Sequence, residues 1–186
     1  MNLKGFLPVL LVPLAVLMIP LTASQFLEGW NWSVGDYAMF WGMMMALALA
    51  YRFVTRKAGH IAYRIATILA LLTGFLIFWG NLAVGFIGSE DNPANAMYVG
   101  VLLIGVVGAA LGRFTASGMA YAMAATALAQ FVVPFIALLF WPNDFSPGVL
   151  QVICLNSAFT ALFVTSAVLF HVSGRPHLGA NLGKPA

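Results

Sequence analysis

The stretch Trp79–Tyr98 reads WGNLAVGFIGSEDNPANAMY. A hydrophobic helix ends in it, an acidic turn follows, and a second hydrophobic helix begins. Glu90 and Asp91 are two of only five acidic residues in the chain. Asn92-Pro93 is a helix-start signal, because Asn accepts from the orphan amides of a first turn and Pro needs no N–H there. The hairpin therefore separates two sets of three hydrophobic segments, one on each side of it.

Composition sets the solvent for these segments. Of 186 residues, 62% are hydrophobic and 7% are charged, against about 25% charged in an ordinary soluble domain. The mean hydropathy is +0.98. Such a chain has too little polar surface to cover itself in water, so lipid is its expected solvent. The net charge of +3 is too small to point to nucleic acid. A single cysteine, Cys154, excludes an intrachain disulfide and any multi-cysteine metal site.

Read along the chain, helices are expected at about 6–23, 36–53, 61–87, 96–113, 118–141 and 148–172. The first holds Pro8, Pro13 and Pro20 and is read as a retained helix rather than a cleaved signal. The third is long enough to tilt or to end irregularly near Gly80 or Gly85. A polar tail, SGRPHLGANLGKPA, closes the chain. The links are all short, so the expectation is an all-α six-helix transmembrane bundle forming one integral membrane domain over 1–186, with no domain outside the bilayer.

Charge gives the orientation. Lys4, Arg52, Arg56, Lys57, Arg64, Arg113, Arg175 and Lys184 fall at the N-terminus, in alternate links or in the tail. Glu28, Asp36, Glu90, Asp91 and Asp144 fall on the opposite side. By the positive-inside rule both termini are cytoplasmic and the Glu90–Asn95 hairpin is outside. Trp30, Trp32, Trp41, Trp79 and Trp141 gather toward the hairpin side, as an aromatic belt does.

Three constellations are candidates for a role. Gly105, Gly108 and Gly112 make a small-residue face on the fourth helix, suited to close backbone approach within the chain or at a seam between copies. Counted at ~1.5 Å per residue, Thr73, Gln130 and Asn156 all reach about the bilayer midplane. An amide in hydrocarbon needs a partner, so Gln130 and Asn156 are expected to face inward, with each other as one candidate pairing and Thr73, Ser157 or Thr160 nearby. The layer serves either as interhelical glue or as a polar site for a small neutral solute. Finally, Glu90, Asp91, Asn92 and Asn95 form an acidic outer hairpin, read as a solvated turn or as oxygen ligands for a hard cation.

The sequence also lacks most catalytic signatures. No Asp, Glu, Lys, Arg or His lies near the expected midplane, so a carboxylate proton relay is missing. His60, His171 and His177 all lie toward the basic side and cannot supply paired haem ligands from facing helices. There is no GxSxG, HExxH or CxxC. Asn92-Pro93-Ala94 spells the NPA triplet of aquaporins, but a second copy is absent and a helix start accounts for this one. A faint repeat also runs through the chain. It relates ATILA at 66–70 to ATALA at 125–129, FWGN at 78–81 to FWPN at 140–143, and Arg-Phe at 52–53 to Arg-Phe at 113–114.

The segment Trp79–Gln130, most of all NLAVG at 81–85 and SEDNPAN at 89–95, resembles a group of small bacterial multipass membrane proteins. The resemblance implies a bacterial inner-membrane location and carries over no functional residue. The expected function is a non-enzymatic membrane scaffold or accessory subunit of a membrane complex. The alternative is a minimal channel or carrier for a small neutral solute. No cofactor and no metal is expected. The expected partners are the lipid bilayer and either another membrane protein or a second copy of the chain.

Overall fold

A computed structural model describes residues 3–56, 58–145 and 148–175. The described residues form six α-helices and one 3₁₀ turn, without strands. All six helices are long and apolar enough to cross a membrane. The chain divides into two compact units, 1–57 and 58–186.

The first unit is a hairpin of α1 (Leu3–Phe26) and α2 (Val34–Thr55) packed on one another. Helix α1 is continuous through Pro8, Pro13 and Pro20. Helix α2 starts with a reciprocal capping box: Asp36 N–H donates to Ser33 Oγ at 3.3 Å, and Ser33 N–H donates to Asp36 Oδ2 at 2.7 Å. Two orphan amides are thereby satisfied at the helix start. The link before it folds Trp30 against Trp32 at 5.0 Å, and Trp32 against Tyr37 at 5.2 Å. Leu11, Ile19 and Phe26 remain exposed, apolar surface of the kind that lipid covers.

The second unit holds α3 (Ile61–Val84), α4 (Ala96–Leu111), α5 (Ala116–Phe140) and α6 (Val149–Ser173). Helix α5 packs on both α4 and α6, and α6 also packs on α3. This double contact explains why α5 buries residues on two faces, from Met119 through Gln130 to Ala137. Its small side chains make that possible. An added Cβ at Gly108 would stand 2.9 Å from Ala122 Cβ, and one at Gly112 would stand 2.7 Å from Gly118 Cα. One at Gly105 would stand 3.1 Å from Thr126 Oγ1. The stripe on α4 thus meets a matching stripe, Gly118, Ala122 and Thr126, spaced by four on α5. Gly112 itself lies just past the helix, whose last residue is Leu111.

One expectation changes. The third helix does not run to residue 87. It stops at Val84, because Gly85 takes φ +65 and the chain turns back, a conformation costly for any residue with a Cβ. Phe86 and Ile87 then tuck into the unit, 9% and 0% exposed, instead of continuing the helix. The faint repeat is matched only in part: ATILA at 66–70 and ATALA at 125–129 both lie within helices, α3 and α5, but the other pairs differ. Arg52-Phe53 is helical, whereas Arg113 and Phe114 both have left-handed φ, 51° and 56°. FWGN lies inside α3, while FWPN straddles the end of α5.

The left-handed pair at 113–114 is held from the side. Tyr63 O–H donates to the Phe114 carbonyl at 2.6 Å, and the Tyr63 ring sits edge-on to Phe170 at 4.9 Å. Ser166 O–H crosses from α6 to the Ala66 carbonyl of α3 at 2.9 Å.

Candidate functional site

Two clusters of hydrogen-bonded polar side chains stand out in the second unit. The first is a buried node shared by α4, α5 and α6. Gln130 Nε2 donates to Asn156 Oδ1 at 2.8 Å, and Tyr98 O–H donates to the same oxygen at 3.1 Å. Asn156 Nδ2 donates back to the Val152 carbonyl at 2.8 Å. Gln130 is 0% exposed, and Tyr98 and Asn156 are 1% exposed each. One acceptor is left over: Gln130 Oε1 is buried and has no hydrogen-bond partner.

The structure therefore brings Gln130 and Asn156 into direct contact. Thr73 is equally buried, yet its hydroxyl donates to the Leu69 carbonyl of its own helix at 2.7 Å. It does not join the pair. Tyr98 does join it, and sequence reasoning missed this residue. A tyrosine near a helix start reads as an interface anchor, and only the tertiary arrangement shows where its hydroxyl ends.

The second place is the α3–α4 loop, and Asn95 organises it. Its Oδ1 accepts from the Phe86 and Ile87 amides at 3.1 and 3.0 Å, while its Nδ2 donates to the Ile87 and Ser89 carbonyls at 3.1 and 2.7 Å. Its own carbonyl accepts from Asn81 Nδ2 at 3.2 Å. At 3% exposure it is part of the interior. Both oxygens are spent on the chain, so Asn95 is not arranged as a cation ligand beside Glu90 and Asp91.

Asn92 acts as the cap its position suggests. Its Oδ1 accepts from the Ala94 amide at 2.9 Å and starts a 3₁₀ turn, Pro93–Asn95, that leads into α4. Its Nδ2 donates to Asp144 Oδ2 at 2.9 Å, tying the loop to the α5–α6 link. An open cleft of about 450 Å³ runs between Asp91, Asn92 and Asp144. Glu90 and Asp91 are exposed, and Glu90 lies outside the cleft lining. Among the described residues no three His, Cys, Asp or Glu side chains come together as a metal set. The geometry is that of an exposed turn whose side-chain amides are committed to groups of the chain itself.

At the opposite end of the unit His60 Nδ1 accepts from the Ala62 amide at 3.0 Å, capping α3. His171 Nε2 lies 3.4 Å from a guanidinium nitrogen of Arg175. His177 and Lys184 lie outside the described residues.

Gly105, Gly108 and Gly112 are occupied by α5 of the same chain, as described above. The close approach they allow is made within the chain.

No protein-family model, no curated protein and no solved structure matches this chain.

Proposed function

We propose that the chain is a non-enzymatic integral membrane scaffold, or an accessory subunit of a membrane complex, in a bacterial inner membrane. In this reading both termini are cytoplasmic, the Glu90–Asn95 hairpin is outside, and the bilayer holds the whole of the folded chain. Complete segregation of Lys and Arg from Asp and Glu supports the orientation.

The observation that carries the functional reading is the sealing of the polar node. Gln130 has no water-accessible surface, and Asn156 and Tyr98 have almost none. Three polar side chains from three helices join those helices through the side-chain carbonyl oxygen of Asn156. A solute path needs polar groups that face a water-filled space. Each interhelical bond of this kind contributes ~0.6 kcal/mol on average. The node therefore acts as glue that fixes α4, α5 and α6 in one register.

With the α4 glycines consumed internally, the partner surface lies elsewhere. The outward face of α4, with Leu103, Val106 and Leu111 exposed, is one such apolar surface. The second reading, a carrier for a small neutral solute, draws on a single feature, the unfilled acceptor of Gln130.

Isolation of the full chain from its native membrane in mild detergent tests the proposal. The expected result is co-isolation with a membrane protein at fixed stoichiometry. A chain that emerges alone and monomeric under the mildest extraction contradicts the scaffold role.

A further inference from the structure

The Phe86 ring occupies a place built like a ligand site. Gly80 makes room for it, since a Cβ there would stand 2.6 Å from Phe86 Cζ. The ring lies edge-on to Tyr98 at 5.1 Å and tilted against Phe159 at 5.6 Å. Its three walls thus come from α3, α4 and α6. The ring is carried on a loop, not on a helix. Gly85 and Gly88, at φ +65 and +72, stand on either side of Phe86-Ile87. The four hydrogen bonds of the Asn95 amide fasten the segment down.

The same Tyr98 leads into the polar node, where its hydroxyl shares Asn156 Oδ1 with Gln130. There the Gln130 Oε1 acceptor is buried without a donor. An unfilled acceptor in hydrocarbon is a standing cost that an arriving O–H or N–H relieves. Pro134 adds to this, because it has no N–H to give the Gln130 carbonyl four residues earlier. No Asp, Glu, Lys or Arg occurs in α4, α5 or α6, and α3 has only Arg64, near its opposite end. A charged ligand would find no counter-charge on the helices at this end of the site.

We propose that Phe86 is an internal stand-in for a ligand and that the Gly85–Asn95 loop is the lid over its site. With the lid lifted, a neutral molecule of the size of one aromatic ring lies between Gly80, Tyr98 and Phe159. Its single O–H or N–H donates to Gln130 Oε1. The inference goes beyond the scaffold reading by giving the chain a site through which a small molecule biases the loop.

The test uses the full chain in mild-detergent micelles, with ligand-observed saturation-transfer NMR and empty micelles as background. The probes are phenol and anisole, the same ring with and without a donor. The phenol signal is expected to fall at least threefold in Gln130→Met, while the anisole signal stays as in the wild type. Asn95→Ala, which unfastens the lid, is expected to raise the phenol signal. Phe86→Ala, which vacates the place itself, reads the same point should Asn95→Ala not fold. Equal phenol signals for wild type and Gln130→Met overturn the proposal, as does a phenol signal unmoved by freeing the lid. Either failure leaves the scaffold reading in place, because that reading is judged by co-isolation with a partner.

Discussion

Asn95 satisfies two amides and two carbonyls of the α3–α4 loop with one side chain. Each buried group left without a partner costs about 1–3 kcal/mol. Asn95→Ala is therefore expected to destabilise the chain by roughly 3 kcal/mol or more, read as a fall in the thermal midpoint in mild detergent. Asn92→Ala removes a cap beside solvent and should cost about 1 kcal/mol. Equal effects of the two would show that the buried amide does not hold the loop. The node gives a second residue-scale prediction. Asn156→Leu strands the Tyr98 hydroxyl and the Gln130 Nε2 donor, whereas Gln130→Leu leaves Asn156 its bond from Tyr98. Melts should rank Asn156→Leu as the more damaging, and the double change should be less damaging than the sum. Additive effects would show that the two amides do not depend on each other. That Gln130 and Asn156 face inward was legible from depth, because an amide in hydrocarbon must pair, whereas their choice of each other needed the helix arrangement. The part played by Tyr98 was not legible, since a hydroxyl at the end of a long ring can reach several helices. Nor was the burial of Asn95, which stands in a run that reads as an exposed turn.

At the scale of elements, hydropathy located all six helices, and their ends moved by no more than three residues. The largest change in course was at Gly85, where a positive φ replaced three expected helical residues. A glycine in an apolar run signals tolerance of such a turn without declaring it. The α4–α5 contact shows the same limit. Small residues at 105, 108 and 112 announced a close approach, but the complementary Gly118, Ala122 and Thr126 became evident only once the helices were paired. The contact makes a discriminating prediction. Gly108→Leu must push Ala122 away, since even a Cβ would stand 2.9 Å from it. At Gly100, on the same helix, an added Cβ meets nothing within 4 Å. Gly108→Leu should lower the thermal midpoint by the equivalent of about 1–3 kcal/mol, and Gly100→Leu should leave it unchanged within error. Similar losses at both positions would show that the cost is not specific to the α4–α5 contact, since leucine is the better helix former at either place.

For the whole molecule, the segregated charges predict which ends share a side of the membrane. In a Cys154→Ser background, cysteines at Ser89 and Ser173 should react with a membrane-impermeant maleimide from opposite sides. Labelling of both from one side would reject the proposed orientation. The central claim is that the polar residues of the second unit hold helices together and do not line a path. Stopped-flow light scattering on proteoliposomes challenged with urea or glycerol addresses it most directly. Liposomes holding the wild-type chain should swell at the rate of empty ones, and the Gln130→Leu/Asn156→Leu chain should do the same. A wild-type rate above the empty-liposome rate, lost in the double variant, would contradict the account.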